Sequence, residues 1–390
     1  MPDATTLSRP ITAGVVTALV GFTSSFAVVL TGLHAVGASS AQAASGLLVL
    51  SVTMGAACVI LAWRYRMPIT AAWSTPGAAL LAAMSTVDGG WPAAVGAFLI
   101  VAVLILLTAL IPALGTLISA IPPSIAQAML AGVLLPLCLA PITGMVANPW
   151  GVIPVVVVWL LFVRLAPRWA VPAAFVAATV VVIVGIALTG TAVDPALLVP
   201  ALEFTAPAFT PGSVVGIALP LFIVTMASQN VPGIAVMRSF GYEVPWRPAM
   251  LVTGIGSALG APFGGHAINL AAISAALAAA PDAEPDPRRR WIAGVSTGVS
   301  YIVLGGLSAV FAALVLLAPT AVIPAVAGLA LFAAFGSAVQ QAIDDPGERM
   351  PAVITFVVAA SGIAVLGISA AFWSLVAGLI ARGVTHLGRR

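Results

Sequence analysis

The sequence predicts an all-α polytopic membrane protein of about 14 transmembrane segments, arranged as two inverted halves of seven. Three observations carry that expectation: the composition, a pair of short interrupted apolar stretches, and the placement of the arginines. Apolar residues make up 62% of the 390 and charged residues 6%, against roughly 25% charged in a soluble domain. The mean hydropathy is +1.19. The net charge of +3 does not point to nucleic acid, because the basic residues are scattered over short loops. Their one run, Arg288, Arg289 and Arg290, follows the acids Asp282, Glu284 and Asp286.

The segments are taken in order by spanning length and turn residues. The first two fall near residues 11–35 and 42–63. The third, at 69–84, reads ITAAWSTPGAALLAAM, a short apolar helix entered through an aromatic, two small polar residues and a breaker. The fourth lies near 91–110, followed by an interfacial piece around 111–123. The fifth, sixth and seventh lie near 125–146, 151–163 and 170–188. A proline-rich connection at 190–211 marks the midpoint, so the halves run over 11–189 and 212–388. The eighth and ninth segments lie near 212–236 and 248–259.

The tenth, at 260–277, reads GAPFGGHAINLAAISAAL. Gly260, Pro262, Gly264 and Gly265 interrupt a helix, and the apolar run that follows is too short to cross the hydrocarbon alone. It is the counterpart of the third: with Trp73 set against Phe263, Ser74 and Thr75 fall on Gly264 and Gly265. The last four segments lie near 291–317, 321–339, 351–366 and 369–380. A count of 12, with the two broken pieces re-entrant, is the alternative.

All 14 basic residues are arginine, and the alternating topology places every one on the side of the N-terminus. The opposite loops carry only Asp88, Asp194 and Glu203. Both termini are therefore expected in the cytoplasm. Seven segments per half is an odd number, so the halves have opposite orientations. The two broken elements then face each other across one cavity, where helix starts bind an anion without a buried arginine. Residues 1–10 lead directly into a spanning segment without a cleavage site, so no signal peptide is expected.

The chemistry-bearing residues are few. The histidines are scattered at His34, His266 and His386, and Cys58 and Cys138 lie in apolar runs. Asp and Glu are absent from the predicted spans. An enzyme, a metal site and a cofactor are not expected. His266 is the candidate for proton chemistry, since an imidazole titrates near pH 6.5 and sits here at the expected first turn of the broken helix. Asn269, one turn on, shares its face. Gln229 and Asn230 stand late in the eighth segment before Pro232, and either line the cavity or bind helices together. Ser24 and Ser25 form the matching feature of the first segment, with bonds back to their own helix as the alternative. Trp73 and Phe263 precede the two breaks and either wall a flat apolar ligand or pack. His34, Asp194, Glu203 and His386 are read as interface, loop or tail residues.

Taken together, Thr23 to Phe26 (TSSF), ITAAWSTPGAALLA, SQNVPGIAVMRSFGY and PFGGHAINLAAISAA resemble the benzoate:proton symporter (BenE) family over essentially the whole chain. That family is related in architecture to nucleobase permeases and sulphate-type anion transporters. The resemblance implies a core domain holding the third and tenth segments, and a gate domain of the fifth to seventh and twelfth to fourteenth. It also implies a homodimer through the gate domain and a bacterial inner-membrane location. It places the substrate among Ser24, Ser25, Trp73, Ser74, Thr75, Gln229, Asn230, Gly264, Gly265, His266 and Asn269. The acids of the nucleobase branch are replaced here by amides and a histidine, which favours a carboxylate substrate. The reading is a proton-driven importer of benzoate or a similar aromatic carboxylate. Its rivals are a carrier of another small anion or a nucleobase, and a passive anion channel.

Overall fold

The computed structural model describes residues 4–84, 87–111, 114, 122–192, 194–365 and 368–387. Arg389, Arg390 and most of the expected interfacial piece at 111–123 lie outside them. Among the described residues, seven helices are long and apolar enough to cross a membrane, and a pair bent by 54° makes an eighth.

The first long span, Leu7–Ala35, is α1 (Ala4–Thr23) followed by α2 (Phe26–Ala35), interrupted at Ser24 and Ser25. A capping box starts α3 (Ser40–Tyr65): Gln42 N donates to Ser39 Oγ at 3.2 Å, and Ser39 N donates to Gln42 Oε1 at 2.9 Å. The third expected segment is a strand, β1 (Ala71–Trp73), and a short helix, α4 (Thr75–Ala82). Then come α5 (Gly90–Leu110), α6 (Pro123–Ala147), α7 (Pro149–Leu165) and α8 (Ala170–Thr189). The next span, α9 (Pro211–Ser239), carries π-helical turns at Val214–Ala218 and Met226–Asn230. Each π turn runs up to the turn holding a proline, Pro220 or Pro232, whose ring lacks an N–H and crowds an α-helical carbonyl.

The chain continues through α10 (Trp246–Gly260), strand β2 (Ile268–Leu270) and α11 (Ile273–Ala279). The bent pair is α12 (Trp291–Gly305) and α13 (Ser308–Leu317); α14 (Val322–Ile343), α15 (Arg349–Ala360) and α16 (Ala370–Leu387) complete the order.

The elements pack as two bodies. In the first, α12 lies against both α1 and α3, α5 against α9 and α10, and α2 and α4 are packed together. In the second, α6 packs on α14 and α15, α7 on α8, and α15 on α16. Lipid gives little hydrophobic drive between helices, so close approach through small residues has to supply the contact. At the α3–α12 crossing a side chain on Gly298 would run into the Gly55 carbonyl.

The midpoint connection is tied to the first body rather than free. Thr205 N donates to Pro262 O at 2.8 Å, and its hydroxyl accepts Trp91 Nε1 at 3.0 Å. Ala208 N reaches Pro92 O at 2.9 Å, and Glu203 N reaches Ser45 Oγ at 2.9 Å.

Candidate functional site

At the centre of the first body the two broken segments meet as an antiparallel ribbon. Ala72 stands opposite Asn269, with Ala71 opposite Leu270 and Trp73 opposite Ile268. Away from water, every backbone N–H of such a break requires a partner. The ribbon extends by Ser74 N to Ala267 O at 3.0 Å and Ala271 N to Thr70 O at 2.9 Å. Three of its outer N–H groups are met by side chains of three surrounding helices. Leu270 N donates to Asn230 Oδ1 at 2.9 Å, Ile268 N to Ser257 Oγ at 2.9 Å, and Ala71 N to Cys58 Sγ at 3.0 Å.

In the ribbon Trp73 stands opposite Ile268, and Phe263 lies outside it in a short 3-10 turn. Gly264, at φ +93°, ends a short 3-10 turn, and the chain runs on extended through His266 into β2. The second short helix begins at Ile273, so Gly265 and His266 are not at a helix start. Asn269 is likewise a strand residue and not one helical turn from His266.

Beside the ribbon, at the seam between the two bodies, lies a cavity of about 250 Å³. This is just below the about 300–1,000 Å³ common for small-molecule sites. From the first body it is lined by Ser24, Ser25, Trp73, Thr75 and Gln229, together with Tyr301. From the second body Leu134, Val171, Pro172 and Leu331 close it, with Arg168 among its lining residues.

Each polar wall residue has a cause for its position. Ser24 Oγ and Ser25 Oγ donate back to Gly21 O at 2.9 and 3.1 Å, which holds the break between α1 and α2. Ser25 Oγ also accepts Trp73 Nε1 at 2.8 Å, and the Trp73 ring meets Phe22 edge-on at 5.2 Å. Phe26, Phe175 and Phe311 continue this aromatic layer, with Phe26 and Phe175 4.7 Å apart across the seam. Ser74 caps α4 by accepting Gly77 N at 3.1 Å and shares a bond with Thr225 at 2.8 Å, leaving Thr75 at the cavity. The Gln229 side chain, half-buried, makes no hydrogen bond with the described residues. Its amide is a free polar group of the wall among the described residues.

The remaining sequence candidates lie behind the ribbon. Asn230 is buried, with its oxygen on Leu270 N and its Nδ2 on Met226 Sδ at 3.1 Å. Asn269 is buried and donates to Leu270 O at 2.7 Å. His266 Nε2 donates to Ser74 O at 3.0 Å, and its buried Nδ1 has no partner among the described residues. The Phe98 ring is 6.2 Å away. Phe263 packs on Phe204 at 5.9 Å, so it does not form a wall with Trp73. Gly264 lies against Gly46, and Gly265 N reaches Gly260 O at 3.0 Å.

Sequence reasoning did not single out Tyr301 or Ser257, and it placed Cys58 only in an apolar run. Tyr301 left a signal, being one of three tyrosines and set in an apolar span. Its hydroxyl fills the place where a side chain on Gly21 would stand. Cys58 and Ser257 left none, since their role depends on a strand edge that no local pattern announces.

The fold and its central ribbon define a multi-pass membrane protein built like a solute carrier. The transmembrane domain of the cyanobacterial bicarbonate transporter BicA superposes with a TM-score of 0.57 over 98% of both chains at 16% identity. At that identity the likeness shows the fold. The family model described as "Benzoate membrane transport protein" matches residues 4–384, and this chain belongs to that family, BenE. Inner membrane protein YdcO of Escherichia coli K12 is 36% identical over 377 residues, covering 96% of this chain and 95% of its own. The benzoate membrane transport protein of Acinetobacter baylyi is 31% identical over 338 residues, covering 85% and 84%. The family is one of transporters and not of enzymes, as the absence of catalytic constellations led us to expect.

Proposed function

We propose that the chain imports benzoate or a similar aromatic carboxylate with protons, by alternating access of the seam cavity. The observation that carries this reading is the cavity itself. It joins an unpaired amide (Gln229), hydroxyls (Ser24, Ser25, Thr75), the N-terminus of α4 and the Trp73 ring within about 250 Å³. A carboxylate suits the donors and the helix start, and an aromatic ring suits the apolar remainder. The benzoate relative supports the substrate class.

In this reading the first body is the core and the second the gate. Residues 11–189 and 212–388 are inverted repeats of seven segments, joined by 190–211. The antiparallel pairing of β1 and β2 is the contact that two inverted halves make at their common centre. The arginine placement supports cytoplasmic termini in a bacterial inner membrane. The apolar outer faces of α7 and α8, with Leu160, Val176 and Ile183 exposed, suit lipid or a second copy through the gate.

His266 is the proton-responsive group. It touches the site through Ser74, the residue that caps α4, so a proton on Nδ1 would place a cation one hydrogen bond behind the anion-binding helix start. Binding of substrate and proton would then reinforce each other. The His266→Gln variant should still insert and melt cooperatively, while benzoate uptake loses its increase at low external pH. Uptake with the wild-type rate and pH profile would remove His266 from the coupling.

The substrate class is tested by thermal unfolding of purified protein with benzoate, salicylate, uracil, xanthine and sulphate. A ligand at 100 times its Kd adds about 2.7 kcal/mol to the native state. Benzoate and salicylate should raise the melting temperature and the others should not. Stabilisation by a nucleobase or sulphate alone would overturn the carboxylate reading.

A further inference from the structure

The wall of the seam cavity offers a carboxylate only neutral donors and one helix end, yet a guanidinium stands at its edge. Arg168 lies in the short turn Pro167–Trp169 that joins α7 to α8, so it belongs to the second body. It lines the seam cavity, and it also lines a second, larger cavity of about 600 Å³. Leu277 of α11 is shared by the two in the same way. The cavities therefore adjoin at Arg168 and Leu277, and the larger one opens beside Arg9, on the arginine-rich side. Asp282 is the acid among its described lining residues, against Arg9 and Arg168. Arg168 is exposed and has no ion pair or hydrogen bond with the described residues.

We propose that Arg168 forms a second carboxylate-binding subsite at the cytoplasmic mouth of the transport path, resting on the aromatic-carboxylate reading above. Its planar fork of N–H donors matches a carboxylate in two parallel bonds, a geometry that no group of the inner wall supplies. Trp169 and Phe240 line the same vestibule and give the ring of an aromatic acid an apolar face. The neutral donors sit on the first body and Arg168 on the second. A relative movement of the bodies therefore changes how far apart the two subsites lie. Substrate approaching from the cytoplasm meets the cation first, whereas substrate from outside reaches the neutral wall without passing it. The subsite thus sets the affinity of the cytoplasmic face and leaves the external face alone.

The test uses the full chain in membrane vesicles of both orientations, with labelled benzoate. In inside-out vesicles Arg168→Gln should raise KM about fivefold, the value of one partly exposed ion pair. Wild-type KM should rise with ionic strength, and that rise should flatten in the variant. KM in right-side-out vesicles should stay unchanged, and Arg168→Lys, which keeps the charge but not the fork, should restore only part of the loss. Arg164→Gln, at the end of α7 and outside both cavities, should leave both faces as they are. Thermal unfolding of each variant separates a folding defect from a binding one. An Arg168→Gln protein that transports with wild-type cytoplasmic KM and salt dependence overturns the subsite, as does an equal change on both faces. Absence of aromatic-carboxylate flux in the wild type overturns the substrate reading and the subsite with it.

Discussion

Replacing Asn230 with leucine is expected to destabilise the protein by about 1–3 kcal/mol through one orphaned N–H. Asn230 Oδ1 is the partner of Leu270 N at 2.9 Å, and both lie inside the first body. Leucine fills a similar volume but accepts no hydrogen bond, and no solvent reaches β2 to replace it. The ribbon that joins the two broken segments would lose one of its three side-chain anchors. Thermal unfolding in detergent should show a lower melting point, and uptake should fall with the amount of folded protein. An Asn230→Leu protein that melts like wild type would show that this bond does not hold the ribbon.

Its neighbour should behave in the opposite way. Gln229→Leu removes an amide that makes no bond with the described residues, so folding should change little. If that amide meets the carboxylate, the variant forfeits a hydrogen bond to a charged group. Such bonds contribute about 1.5–3 kcal/mol, equivalent to about 10- to 150-fold in uptake efficiency. The measurement is initial uptake rate against benzoate concentration, normalised to folded protein. Gln229→Leu with wild-type efficiency would exclude the amide from the site. Two adjacent amides thus give a direct contrast: one variant loses stability with its transport, and the other loses transport alone.

The contrast also shows where sequence reasoning reached its limit. Gln229 and Asn230 look alike in the chain, and each is a polar group that needs a partner or a substrate. Their positions in the π turn Met226–Asn230 send one side chain to the cavity and the other to β2. That division cannot be read from two consecutive amides, because it depends on the rotation of a non-α turn. The proline at 232 was the visible sign of a disturbed helix, but not of its hand on the neighbouring side chains.

The membrane class was legible in composition, because 6% charged residues cannot clothe a water-soluble surface. Long apolar runs gave the long spans, because a segment in hydrocarbon must satisfy its backbone internally and so must be helical. Glycine and proline at residues 69–84 and 260–277 mark stretches that no continuous helix fills. What filled those breaks was not legible. ITAAW and GHAIN carry no turn or alternation long enough to announce strands of three residues each. A three-residue strand has no stability alone. It exists here because a second break lies opposite and because Cys58, Asn230 and Ser257 complete its edges. Local sequence decides where a membrane helix must stop. Only the tertiary structure decides which distant backbone satisfies the interrupted one, and therefore which polar side chains remain free to meet a substrate.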